Sequence, residues 1–289
     1  MTDVRRAMAR VGARGLTAGM TTTVVLGGTG KTGRRLVAAL RGTPVRAVSR
    51  STEVRFDWAV PDTWADALAG ASAVYLVAPA DPGPVEVFVK QATAAGVRRF
   101  VVLSGRGIDK VRGFAGMRAA EEAVRASDAE WTILRANNFN QNFDEDLWHA
   151  PLVAGRLALP MGAVPEPFVD VQDVAEVAAA VLRSGGHHGR VYDLSGPRLT
   201  FGEAVATIAA AAGREIRYEE LTPSQYRDEL RAEGLPEEAV EDLDAMFAAM
   251  RAGHLSSPGD GVRQVLGRDP IAFADYAAKA AAAGAWSAG

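Results

Sequence analysis

The chain has 289 residues, 48% hydrophobic and 23% charged, with a net charge of -3, an ordinary globular balance that gives no case for a nucleic-acid surface. It has no cysteine and four histidines, which excludes disulfides, a thiolate nucleophile and a cysteine-based zinc site, and His149, His187, His188 and His254 are not spaced as a metal pair. No apolar run is long enough to span a bilayer, and the length suits two domains, or one α/β domain with an added lobe.

Residues 1–20 stand apart, with Arg5, Arg6, Arg10 and Arg14 among alanines and glycines and Asp3 the only acid. The apolar stretch of a secretory signal is missing. The composition also suits a transit peptide, but a disordered leader is the plainer reading, with Met20 an alternative start, and the expected location is the cytoplasm.

Val24, Val25 and Leu26 read as a buried strand over 22–28. Gly27, Gly30 and Gly33 follow in a G-x-x-G-x-x-G pattern, a spacing variant of the dinucleotide fingerprint. A helix with Leu36, Val37 and Leu40 on one face then runs over 31–41. The chemistry follows from the order of parts. A tight turn needs a residue free to take positive φ, a pyrophosphate can approach only backbone without a Cβ, and the helix start supplies bare N–H groups and a positive dipole end. Gly27, Thr29, Gly30, Lys31, Thr32 and Gly33 are the candidate contacts. A ligand-free glycine turn is the alternative; the strand before and the helix after favour a nucleotide.

The second strand spans 45–50 and ends in Ser49 and Arg50. An acidic residue at such a position would bind the ribose 2′-hydroxyl of NAD. A guanidinium instead pairs with a 2′-phosphate and stacks on adenine, so the expected cofactor is NADPH, held in part by Ser49 and Arg50. A solvated arginine after a strand is the bland alternative. Residues 54–58 read as a short third strand, with Asp57 placed either to contact adenine or to start the turn before Pro61.

The apolar run 72–79 reads as a strand buried on both faces, and Ala78 and Pro79 at its end border the cofactor crevice. A helix over 84–95 leads to a strand over 99–105, with Ser104 at its carboxyl end. A helix over 114–127 and a strand over 130–135 follow, then Asn137-Asn-Phe-Asn-Gln-Asn-Phe143, dense in amides and aromatics. Those amides would orient a substrate or the nicotinamide carboxamide, and the phenylalanines would wall a flat ligand. The alternative makes Asn137 and Asn138 turn residues and the phenylalanines core. Residues 152–162 suggest a short strand and turn. A helix over 174–182 is capped by Asp170 or Asp173, both read as structural. A last strand of the main sheet covers 190–196. Thr200 and Glu203 form a capping box, a strand covers 215–219, and helices cover 223–233, 237–251 and 270–283.

Several of these stretches resemble NmrA-like atypical short-chain dehydrogenases: Gly27-Gly-Thr-Gly-Lys-Thr-Gly33, Trp131-Thr-Ile-Leu-Arg135 with Asn138-Phe and Gln141-Asn-Phe143, Pro167-Phe-Val-Asp-Val-Gln-Asp-Val-Ala175, and Leu194-Ser-Gly-Pro followed by Leu-Thr-Phe201. The likeness spans about residues 22–285. Val54-Arg-Phe-Asp-Trp58 and Tyr75-Leu-Val-Ala-Pro79 are similar to the branch holding fungal ergot-alkaloid iminium reductases, NAD(P)H-quinone reductases and bacterial relatives in secondary metabolism. The resemblance implies an α/β, Rossmann-type doubly wound sheet over 21–150 with 168–196 returning to it, and a smaller, mostly helical substrate lobe from 151–167 and 197–289. Family members are either reductases or catalytically silent redox sensors.

One departure narrows the chemistry. Typical short-chain dehydrogenases carry Tyr-x-x-x-Lys on the helix that here covers 114–127, where this chain has neither residue. Ketone reduction with a tyrosine acid is therefore not expected. A cationic iminium needs only a hydride, and a quinone or other conjugated acceptor can take protons from water. Glu121 or Glu122 would stabilise a cationic substrate, although helix-surface charges are usually solvated. The leading expectation is an NADPH-dependent reductase of a small conjugated or iminium substrate, working as a monomer or homodimer without nucleic acid, membrane or metal. Nicotinamide is expected near Ala78, Pro79 and Ser104, and the substrate against Ser104, Asn138, Phe139 and Asn142. The second hypothesis is a silent NADP-state sensor, and cofactor-dependent isomerase or cyclase chemistry is a third.

Overall fold

Apolar strands alternating with amphipathic helices leave one economical arrangement, a parallel sheet covered on both faces. The computed structural model describes residues 22–109 and 114–287; the leader expected over 1–20 lies outside them. In chain order the first part comprises β1 (Thr22–Leu26), α1 (Lys31–Ala39), β2 (Val45–Val48), α2 (Trp64–Leu68), β3 (Ala71–Val77), α3 (Val85–Ala94), β4 (Arg99–Gly105), α4 (Ala115–Arg125) and β5 (Glu130–Ala136). Next come α5 (His149–Val153), β6 (Arg156–Leu159), α6 (Val171–Arg183) and β7 (Arg190–Leu194). Six strands form one parallel sheet in the order β2-β1-β3-β4-β5-β7. The order reverses at β1 and β3, and in such sheets the ligand crevice opens at the carboxyl ends beside that reversal. The fold is Rossmann-type, as expected.

Side chains alternate across the strands with period two. Val24, Leu26, Val74, Leu76 and Val102 face Trp64, Phe88 and Val124 of α2, α3 and α4. Val25, Tyr75, Val101 and Leu134 face Leu36 and Leu40 near α1 and Val174, Val177 and Val181 of α6. A third core lies away from the sheet, around Phe143, Trp148, Phe168, Phe201, Phe273 and Trp286. It is built by the short pair β6–β8 (β8, Arg217–Glu220) and by α7 (Phe201–Ala212), α8 (Pro223–Ala232), α9 (Glu237–Arg251) and α11 (Phe273–Ala282). Thr200 and Glu203 make the expected capping box on α7, and Asp170 caps α6 by accepting from the Gln172 N–H.

Three elements differ from expectation. The third strand at 54–58 does not form; a single bridge joins Ser49 to Arg55. Its backbone groups go elsewhere, because the Asp57 N–H donates to Thr63 Oγ1 and the Asp57 carbonyl accepts from Trp64 Nε1. Phe56 and Trp58 turn into an aromatic cluster with Trp64 and Phe88, edge-on at 5.2–5.4 Å where Phe56 meets Trp58 and Phe88. Leu152 lies in α5, not in a strand, and is buried in the third core. The last helix begins at Phe273, and a short helix, α10 (Gly261–Leu266), precedes it and adds Val262 to the sheet core.

Candidate active site

The glycine loop is shaped as a phosphate cradle. Gly27 adopts φ +65°, a region L side chains avoid. A Cβ on Gly33 would lie 2.1 Å from the Gly27 carbonyl oxygen, so α1 can begin against the loop only with glycine there. Gly30 is the N-cap in an extended conformation, with no side-chain cap and no acid in the first turn. The first N–H groups of α1 are thus left for an anion. Gly27, Thr29, Gly30, Ser49, Arg50 and Asp57 line one side of a cleft of about 780 Å³, with Ala78 and Pro79 on the other. A dinucleotide fits this cleft: the cradle admits no side chain, and the exposed Arg50 has no hydrogen-bond or ion-pair partner among the described residues. Asp57 both starts the turn and lines the cleft. The Ala59 N–H and Arg55 guanidinium donate to its carboxylate and hold it below the usual range.

Lys31, Thr32 and Gly33 do not line that cleft. Thr32 and Gly33 are buried. Lys31 turns the other way: its Nζ donates to Asn142 Oδ1 at 2.9 Å and to Asp146 at 2.5 Å, and stands 5.7 Å from the Phe139 ring centre. Arg34 and Arg35 both reach Glu145, so the segment after β5 is tied to the helix that begins at the cradle.

Lys31 lines a second cavity of about 270 Å³, together with Ser104, Asn138, Phe139 and Asn142. Because Gly30 lines the cleft and the adjacent Lys31 lines the cavity, the glycine loop stands between the two. The cavity sits at the carboxyl ends of β4 and β5. Leu103, Met117, Ala136 and Phe139 supply apolar wall from the sheet side, and Met246, Met250 and Leu255, on and just beyond α9, close it from the other. Apolar walls with a few convergent polar groups suit a small flat ligand.

Two polar networks border this cavity. In the first, Ser104 donates to Glu121 Oε1 at 2.7 Å, and Arg135 grips the same carboxylate with Nε at 2.8 Å and Nη2 at 2.6 Å. Burial alone would raise the Glu121 carboxyl, but the Arg135 and Ser104 hydrogen bonds outweigh it and hold the group low. The expectation that Glu121 is a solvated helix charge is therefore wrong: α4 packs this face onto the sheet and Arg135 neutralises the carboxylate. Glu122 is exposed. Met117, one turn before Glu121, is the α4 residue that meets the cavity; neither residue can act as a tyrosine acid or a ribose-binding lysine.

In the second network Glu166, 2% exposed, accepts from Asn137 Nδ2 at 2.8 Å, from the Asn138 N–H at 3.4 Å and from Asn138 Nδ2 at 3.3 Å. Arg106 Nη1 donates to Asn137 Oδ1 at 2.6 Å. Asn137 and Asn138 are thus neither simple turn residues nor free substrate amides; both bind Glu166, while Phe143 belongs to the third core. Sequence reasoning missed Glu166, Arg106 and Met117. Glu166 lies between Pro165 and Pro167, a setting that reads as a solvated loop.

This arrangement, a parallel sheet with a glycine cradle at its reversal point and a cavity beside it, defines an NAD(P)H-binding oxidoreductase. A family model described as NAD(P)H-binding matches residues 27–185, and the chain belongs to that family. It is 35% identical to a (4-alkanoyl-5-oxo-2,5-dihydrofuran-3-yl)methyl phosphate reductase of Streptomyces griseus, over 90% of this chain and 98% of the relative. It is 32% identical to a festuclavine dehydrogenase of Aspergillus fumigatus, over 89% and 96%. Its fold matches that of an NADPH-dependent quinone oxidoreductase from Escherichia coli solved with NADPH, with a TM-score of 0.78 at 20% identity, over 89% of this chain and 99% of that one. Among the described residues no helix is long and apolar enough to cross a membrane.

Proposed function

We propose that the protein is an NADPH-dependent reductase delivering hydride to a small conjugated or iminium acceptor, in secondary metabolism. The observation that carries this is the apolar cavity at the ends of β4 and β5, which meets the glycine loop at Lys31 while the adjacent Gly30 lines the cofactor cleft. When bound, the cofactor supplies the hydride; the chain supplies place and surroundings. The cradle at Gly27–Gly33 would hold the pyrophosphate, Arg50 with Ser49 the 2′-phosphate, and Ala78, Pro79 and Ser104 would border the nicotinamide. Phe139, Met117 and Met250 would exclude water and hold a flat acceptor, which is how positioning lowers a barrier. Lys31, tied to Asn142, would fix the loop that carries Phe139. The core around residues 151–167 and 197–289, apart from α10, would act as the substrate lobe.

The names of the relatives support this choice. A 4-alkanoyl-5-oxo-2,5-dihydrofuran carries a carbon–carbon double bond conjugated to carbonyls, and the chain's likeness to its reductase and to a clavine enzyme points to acceptors of the two kinds named. The test is NADPH consumption by purified protein with a panel of unsaturated carbonyl compounds, quinones and cyclic iminium salts. Turnover with members of the panel is expected; tight NADPH binding without turnover on any of them would reject the proposal in favour of a silent sensor.

A further inference from the structure

Glu166 has no part in the fold that a glutamine would not play as well. It is the one carboxyl among the described residues of a lining that otherwise holds apolar groups, amides, Ser104 and the basic side chains of Lys31, Arg106 and His254. All three of its side-chain hydrogen bonds end on Oε1, from Asn137 Nδ2, the Asn138 N–H and Asn138 Nδ2. Oε2 accepts nothing from the described residues and is not among the atoms sealed from solvent. Since the residue is 2% exposed and lines the cavity, the cavity is where Oε2 opens. Three N–H donors converging on one oxygen leave the other as the place for a proton. A carboxylic acid oriented this way presents O–H to whatever occupies the cavity.

We propose that Glu166 is the resident proton donor of this site, taking the part of the absent tyrosine and acting on unsaturated carbonyl acceptors. The proposal rests on the reductase reading above. In the step, the acceptor's β-carbon takes a hydride with its two electrons from the dihydronicotinamide, which is oxidised. The carbon–carbon π pair shifts and the carbonyl π pair moves to oxygen. The Glu166 Oε2–H bond breaks as an O–H bond forms there, giving the enol, which becomes the saturated carbonyl compound in water. The Glu166 carboxylate left behind is stabilised by the three N–H donors, and a solvent proton restores it.

The surroundings suit that cycle. Burial raises the Glu166 carboxyl above its ordinary value despite the amide donors and the nearby Arg106 charge, so the acid form is available at higher pH than for an exposed glutamate. Among the described residues, the charged and titratable groups that line the cavity with it are Arg106 after β4, Lys31 on α1 and His254 beyond α9. Arg106 reaches Glu166 through Asn137, and its charge favours the carboxylate after the proton has left. An iminium acceptor uses none of this chemistry, because hydride addition alone completes its reduction.

The test compares wild type with Glu166→Gln, which keeps shape and amide contacts but has no transferable proton, and with Glu166→Asp, which keeps an acid. The acceptors are 2-cyclohexenone and N-methyl-3,4-dihydroisoquinolinium. The expected result is that Glu166→Gln lowers the ratio of enone to iminium turnover by about 10²-fold or more, in line with the usual worth of a positioned acid, and that Glu166→Asp recovers part of it. Wild-type enone turnover should fall as pH rises through the Glu166 titration, and the Gln variant should lack that limb. Independently of turnover, the infrared difference between cofactor-free wild type and Glu166→Gln, followed as pH rises, should show one protonated carboxyl stretch that persists to higher pH than those of exposed glutamates. An unchanged ratio, or no such band, overturns the proposal alone. Wild-type protein that reduces neither acceptor overturns the reductase reading, and the proposal with it.

Discussion

The pair Glu121–Arg135 makes an unequal bridge, and the inequality can be measured. Glu121's side chain is 6% exposed and Arg135's is 31% exposed. Replacing Arg135 by methionine keeps the aliphatic stem but strands a buried carboxylate, with only the neutral Ser104 hydroxyl at 2.7 Å on one oxygen and Arg125 at 3.4 Å on the other. Breaking a buried pair from that side costs about 3–5 kcal/mol. Replacing Glu121 by methionine strands a guanidinium that water can reach, at about 1–3 kcal/mol, including the orphaned Ser104 hydroxyl. The two variants should therefore differ by about 2 kcal/mol in urea unfolding near neutral pH. The wild-type carboxyl lies below its unfolded value, so its contribution is full above the unfolded pKa of about 4.3 and is lost as pH falls through the folded pKa. Without Arg135, burial dominates and the folded pKa rises above the unfolded one. The deficit of Arg135→Met should then shrink on acidification by more than that of Glu121→Met. Equal deficits at neutral pH, or a gap that does not narrow in acid, would refute this account of the network.

Arg50→Glu should weaken NADPH binding about 10- to 100-fold, or about 1.4–2.8 kcal/mol, while leaving NADH binding nearly unchanged; titration calorimetry with both nucleotides decides it. Gly33→Ala should weaken both nucleotides and destabilise the fold by about 1–3 kcal/mol, since the added carbon meets the Gly27 carbonyl at 2.1 Å; no change in affinity would remove the cradle from the argument. Thr200→Ala should cost about 1 kcal/mol through the lost capping box with cofactor affinity intact, as read by thermal unfolding and nucleotide titration.

The sheet was legible because its signals are local and repeated. Residues 72–77 and 99–105 can be buried on both faces only in a parallel sheet, and the glycine spacing ties a strand to a helix. The segment 54–58 was misread because alternation there serves an aromatic cluster: Phe56 and Trp58 find Trp64 and Phe88 across the chain, and a β ladder never forms. Arg50's position at the cleft was legible because it follows from the strand before it. Glu121 and Glu166 were not. Whether a carboxylate is solvated or buried depends on what packs over it, and Arg135 lies 14 residues away in sequence from Glu121, while Asn137 lies 29 away from Glu166. Lys31 was expected at the phosphate cradle because its neighbours Thr29 and Gly30 line that cleft, but one step along a helix turns a side chain by about 100°, here into the other cavity.

The central claim is that NADPH bound in the glycine cleft reduces a small acceptor held in the cavity beside it. The direct measurement is mass spectrometry of the product formed with NADPH deuterated at the nicotinamide C4 on either face. The account predicts one deuterium in the reduced carbonyl or amine from one of the two labelled faces and none from the other, with slower labelling at limiting cofactor when Gly33→Ala weakens nucleotide binding. NADPH that binds tightly and returns unoxidised, its label intact, across iminium, quinone and unsaturated carbonyl acceptors would contradict it.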